Sequence, residues 1–180
     1  MSAAELPLID ESKTAEEETN TTCQTNIVRA IEVTRILATI ASIIIGFIQF
    51  TNSYRISAAL FVFAMAGITG LESVFFGKIS ARDKKWESSQ FQMQSACNNL
   101  ASMVAMIILL CINAPDAALA ALLLSVTSFF GLSGINHFVQ ALNDKIKGKE
   151  VASIHWQRII LAIPLVIVEA IILSNWKPFN

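Results

Sequence analysis

Residues 94–138 read QSACNNLASMVAMIILLCINAPDAALAALLLSVTSFFGLSGINHF, and in that stretch Asp116 is the one carboxylate or basic side chain other than His137. A bilayer's hydrocarbon core takes about 20 residues of helix, so one helix of this length would overshoot it. At the centre stands Asn113-Ala114-Pro115-Asp116. Proline between small polar residues is turn chemistry, because it cannot continue the helix before it and Asn and Asp tolerate turn conformations. The stretch therefore predicts two membrane-spanning helices, 94–113 and 117–138, joined by a tight hairpin. The alternative, four spans, makes one of the pair re-entrant.

Working outward, three more intervals are almost free of charge. Nothing ionises between Arg35 and Arg55, only Glu72 does between Ile56 and Gly77, and only Glu169 does between Arg158 and Lys177. These predict spans at 31–51, 56–77 and 157–176. The expected fold is all-α: a five-helix transmembrane domain over 27–180. The first 26 residues are different material. Glu5, Asp10, Glu11, Glu16, Glu17 and Glu18 face Lys13 alone among Thr, Ser and Asn, which predicts a disordered acidic tail, solvated or docking a partner. It lacks the basic start and apolar run of a signal peptide.

Composition agrees. The chain is 54% hydrophobic and 15% charged, against about 25% charged in soluble domains. Thirteen basic and fourteen acidic residues leave no basic field for nucleic acid. Cys23, Cys97 and Cys111 show neither a disulfide framework nor metal-ligand spacing, and there is no phosphate loop, so no cofactor or metal is expected. Basic residues set the orientation. With the N-terminus inside, Lys13, Arg29, Arg35, Lys78, Arg82, Lys84, Lys85, Lys145, Lys147, Lys149 and Arg158 fall on the inner side, against Arg55 and Lys177 outside. Trp86 and Trp156 then lie at the inner interface, Tyr54 and Trp176 at the outer one, and the C-terminus is outside.

Polar residues inside a bilayer face a bundle interior or a cavity, because lipid exposure is costly. Helical rise places Glu72, Gln94, Asn98 and His137 at similar depth near the inner face. Two readings stay open. They are interhelical glue, worth about 0.6–2 kcal/mol per hydrogen bond, or they line a pocket for an ion, a proton or a small polar group. Glu169 stands about 16 Å past Arg158, close to the midplane. A lone ionised carboxylate there is expensive, so it calls for a partner or a proton. Pro164 precedes it and tends to kink the helix. Ala66 with Gly70, and Gly131 with Gly134, mark close helix contacts within the bundle.

Gly70-Leu71-Glu72-Ser73-Val74-Phe75-Phe76-Gly77, then Trp86, Phe91-Gln92-Met93-Gln94 and Asn99-Leu100-Ala101, resemble a family of small bacterial multi-pass membrane proteins. Its members carry G-H-x-F-F, G-W, P-F-Q-x-E and N-L-A, and later a glycine–histidine pair that Gly134-Ile135-Asn136-His137 resembles with two residues inserted. The similarity covers roughly residues 60–170. It implies a helical bundle in a bacterial inner membrane and no particular reaction. This chain has Ser73 in place of the family's histidine, Gln94 in place of its acid and Gln90 in place of its proline, which removes two ligands that a metal or proton site would use.

Three functions follow as expectations. The first is binding or translocation of a small solute, proton or ion through Glu72, Gln94, Asn98, His137 and Glu169, with conduction calling for a homo-oligomer. The second is an accessory or scaffold subunit among other membrane subunits. The third is a membrane-embedded enzyme on a lipid or quinone, with His137 as acid/base oriented by Glu72.

Overall fold

A computed structural model describes residues 11–48, 52–83, 90–148, 151 and 153–178, and among them every regular element is helical. The helices are α1 (Glu11–Phe47), α2 (Ser53–Val62), α3 (Thr69–Asp83), α4 (Gln90–Cys111), α5 (Asp116–Ile146) and α6 (Ser153–Trp176). A π-helical segment, Phe63–Ile68, joins α2 to α3 into a single rod. Five stretches are long and apolar enough to cross a membrane: Thr22–Phe47, Ser53–Asp83, Gln92–Cys111, Asp116–Ile146 and Arg158–Trp176. The fold is an all-α bundle of a kind that suits a multi-pass membrane protein.

The hairpin forms where the turn residues stand. Asn113 takes φ 50°, the left-handed conformation that ends a helix. The Ala114 amide donates to the Leu109 carbonyl at 2.9 Å, and Pro115 precedes the first turn of α5. Helix ends elsewhere differ from expectation. The second and fourth spans are 31 residues each, about 47 Å at helical rise, so they run on past the apolar interval through Lys78–Asp83 and Asn143–Ile146. A helix already nucleated in the bilayer adds polar turns at little cost. For the same reason α1 reaches back to Glu11, into the stretch read as tail. Residues 1–10 of that stretch, and Lys84, Lys85, Trp86 and Lys149 among the orientation markers, lie outside the described residues.

α1 packs along the second rod, α3 against α4, and α5 against α6. Its buried face is Val28, Arg35, Thr39, Ser42 and Gly46, a spacing of three, four and seven that keeps one stripe inward. The stripe is polar. The apolar core lies elsewhere, around Phe61, Val62, Met106, Leu119 and Leu123. Small residues bring the helices close: a Cβ on Gly134 would stand 2.5 Å from Ala162 Cβ, and one on Gly70 would stand 2.8 Å from Leu100 Cγ. The expected small-residue contacts are thus packing within the bundle. We call the end carrying Arg35, Arg82, Lys145 and Arg158 the basic end, and the end carrying Arg55 and Trp176 the far end.

Candidate functional site

Arg35 is 6% exposed and is the hub of the basic end. Its Nη1 donates to Thr69 Oγ1 at 3.2 Å, and its Nη2 donates to Glu32 Oε1 at 3.2 Å. Nη1 also lies 3.6 Å from Glu72 Oε2. The other Glu72 oxygen accepts from Ser80 Oγ at 2.6 Å. A buried carboxylate is tolerable only when so paired. Glu72 and Thr69 follow directly on the π segment. A π turn adds residues without adding a full α turn, so it shifts the face that later residues present. The segment thereby sets the register in which Thr69 and Glu72 reach α1.

Beside this cluster, α1, α5 and α6 part around a cavity of about 160 Å³. Its walls are mainly apolar, with Ile36, Ile40, Met65 and Leu165 among them, and Glu32, Arg35 and Arg158 supply the charge. Arg158 opens the last span and feels Arg35, Glu32 and Glu72 electrostatically. Thr39 and Ser133 add hydroxyls to the lining.

Of the residues anticipated from sequence, Glu72 sits in the cluster and His137 stands beside it. His137 Nδ1 lies 2.9 Å from His155 Nδ1, and Arg158 acts on it electrostatically. His155 Nε2 in turn lies 3.9 Å from Asp144 Oδ2. Nδ1 of His137 therefore meets His155, a residue outside the anticipated set. Gln94 and Asn98 are placed differently from Glu72. Both are on the exposed face of α4, while the neighbouring Asn99 is the buried residue. Equal depth did not bring them inward because depth leaves the rotation of a helix about its axis open. Glu169 is fully buried, and neither of its oxygens has a hydrogen-bond partner.

Sequence reasoning missed Glu32, Arg35, Arg158, Ser80 and His155 as site residues. Arg35 and Arg158 were legible only as topology markers at span ends. The usable signal was that Glu32 and Arg35 fall three apart, one turn of one helix face, and that both arginines fall inside helical segments.

The far end is held by a second network. Arg55 pairs with Asp116 and donates to the Ala114 carbonyl at 3.0 Å. Trp176 Nε1 donates to Asp116 Oδ2 at 3.0 Å, and its ring stacks on Tyr54 with centroids 6.0 Å apart. Helix α2, the hairpin and α6 are thus tied together at one carboxylate. No protein-family model matches the chain, and neither does a curated protein or a solved structure.

Proposed function

We propose that this chain is a multi-pass integral membrane protein that binds a small anionic solute in the cavity between α1, α5 and α6 and passes it across the bilayer. The observation that carries the reading is the placing of Arg35 and Arg158, with Glu32, on the wall of a mainly apolar cavity. Charges inside a membrane domain are costly and tend to mark solute paths, and an apolar cavity with a few convergent polar groups is the usual form of a small-ligand site. Glu72 is engaged behind Arg35 with Ser80, and Arg35, Arg158 and Glu32 are the charged residues of the cavity lining. Planar guanidinium forks suit carboxylate or phosphate oxygens. Under the positive-inside rule the basic end is the cytoplasmic one, and the far-end network ties α2, the hairpin and α6 on the opposite side. A bacterial inner membrane is the setting that the resemblance over residues 60–170 implies.

Cysteine chemistry tests it. In a chain without its native cysteines, Ser133→Cys is expected to react with a negatively charged methanethiosulfonate reagent faster than with a positively charged one. Arg158→Gln should abolish that preference. Failure of Ser133→Cys to react with either reagent would sink the reading.

A second reading, an oligomer or accessory subunit, is favoured by one observation. Gln94 and Asn98 are exposed within the span Gln92–Cys111, where another helix would satisfy them better than lipid.

A further inference from the structure

Beyond the cavity, α6 carries a second polar position. Leu165 lines the cavity, and Glu169 lies one turn further toward the far end, about 6 Å along the axis. It is 0% exposed, and both carboxyl oxygens lack a hydrogen-bond partner. One turn further still, Ile172 Cδ1 stands 2.6 Å from where a Cβ on Gly46 would be, and Ser57 Oγ stands 2.8 Å from that same point. Helix α6 thus meets α1 just past Glu169, at the point where α1 also meets α2. Ser53 and Ser57 on α2 are also fully buried with unpartnered hydroxyls.

The facing elements offer no counter-charge. Past Arg35 the buried face of α1 carries Thr39, Ser42 and Gly46, and that of α2 carries Ser53 and Ser57. Helix α5 has no carboxylate or basic residue between Asp116 and His137. Ionisable groups resume with Glu32, Arg35, Glu72, His137 and Arg158 toward the basic end and with Arg55 and Asp116 toward the far end. A carboxylate buried in such a place needs its charge compensated. Nothing among the described residues does so, so the compensating ion comes from solution. A metal cation such as sodium asks for several oxygen ligands, and among the described residues no group of three or more His, Cys, Asp or Glu side chains gathers around Glu169. A proton asks for one oxygen.

We propose that Glu169 is an intramembrane proton-exchange site loaded from the cavity side. One O–H bond forms on a Glu169 carboxylate oxygen as one breaks on a hydronium ion in the cavity, and no electron changes hands. The proposal deepens the solute-carrier reading by adding the ion that accompanies the solute. Pro164 stands on the stretch of α6 that lines the cavity. Having no amide hydrogen, it leaves the Ile160 carbonyl without its helical bond, and α6 gains a point of bending level with the cavity, about one turn before Glu169.

The test uses dicyclohexylcarbodiimide, an apolar reagent that takes the proton of a carboxylic acid onto nitrogen and bonds the carboxyl oxygen to its central carbon. The full-length protein in liposomes is treated, and the adduct is located by peptide mass spectrometry. Glu169 is expected to be labelled, and the rate should fall about tenfold per pH unit on the alkaline side, as for a single proton. Glu169→Gln, with unchanged helicity and elution, should lose the adduct, and Ser57→Ala should keep it. Sodium chloride at constant ionic strength should give no protection. An unlabelled Glu169, a labelling rate indifferent to pH, or protection by sodium would each overturn the proposal. The Ser133→Cys reaction reads the cavity alone, so a failed cavity and a failed proton site give different results.

Discussion

Gly134 and Gly77 show how differently one kind of residue can act. A Cβ at Gly134 would meet Ala162 Cβ at 2.5 Å, whereas at Gly77 the nearest atom is Gln92 Nε2 at 3.7 Å. Gly134→Ala is therefore expected to push α5 and α6 apart and cost about 1–3 kcal/mol. Gly77→Ala should cost nothing and can gain about 0.5–1 kcal/mol from the loss of glycine's backbone freedom. Thermal unfolding of both variants in one mild detergent measures the contrast, and equal effects would refute it. The same scale explains what the sequence could reveal of the site. Glu72 and Glu169 were visible because acids stand out in charge-free intervals. Arg35 and Arg158 stood at span ends, where a basic residue is ordinary, so nothing marked them as facing inward.

Whole helices were more legible than their faces. Charge gaps located five spans because a missing charge is a property of composition, and Asn113-Ala114-Pro115-Asp116 located the hairpin because its turn chemistry is local. Helix ends were less legible, since helices continue through charged turns once nucleated. Faces were least legible. Gln94 and Asn98 have a rotation that depth does not reveal, and the π segment shifts the second rod's register with no residue type to announce it. The far-end network also operates at this scale, through Arg55. Replacing it by Ala removes the ion pair with Asp116 and the bond to the Ala114 carbonyl. Both partners are partly exposed, so the expected loss is about 1 kcal/mol. Hydrogen exchange should quicken around residues 109–118 and stay unchanged at the basic end. Uniform quickening would mean that the network supports the entire bundle.

At the scale of the whole molecule, orientation and association can be read in one set of single-cysteine variants. Lys147 and Lys177 are exposed at opposite ends, and Cys97 is exposed on the Gln94–Asn98 side of α4. From outside intact cells, an impermeant maleimide is expected to label Lys177→Cys and to spare Lys147→Cys. The reverse pattern would invert the topology. A chain retaining Cys97 alone should form a disulfide-linked dimer under mild oxidation in the membrane if α4 is an interface between copies, and remain monomeric if that face meets lipid or another protein.

The pairing of Arg35 bears on biogenesis. Its nearest carboxylate along the chain, Glu32, is on the same helix at 3.2 Å, and Glu72 reaches it from the next span. The first span therefore carries an acid of its own beside its arginine, and the second span supplies another. Arg158 comes later in synthesis, and the acids it feels, Glu32 and Glu72, are in place before it emerges. Insertion of α6 is thus the step at which a basic group must find counter-charges held by earlier helices, so the order of translation is also an order of charge compensation.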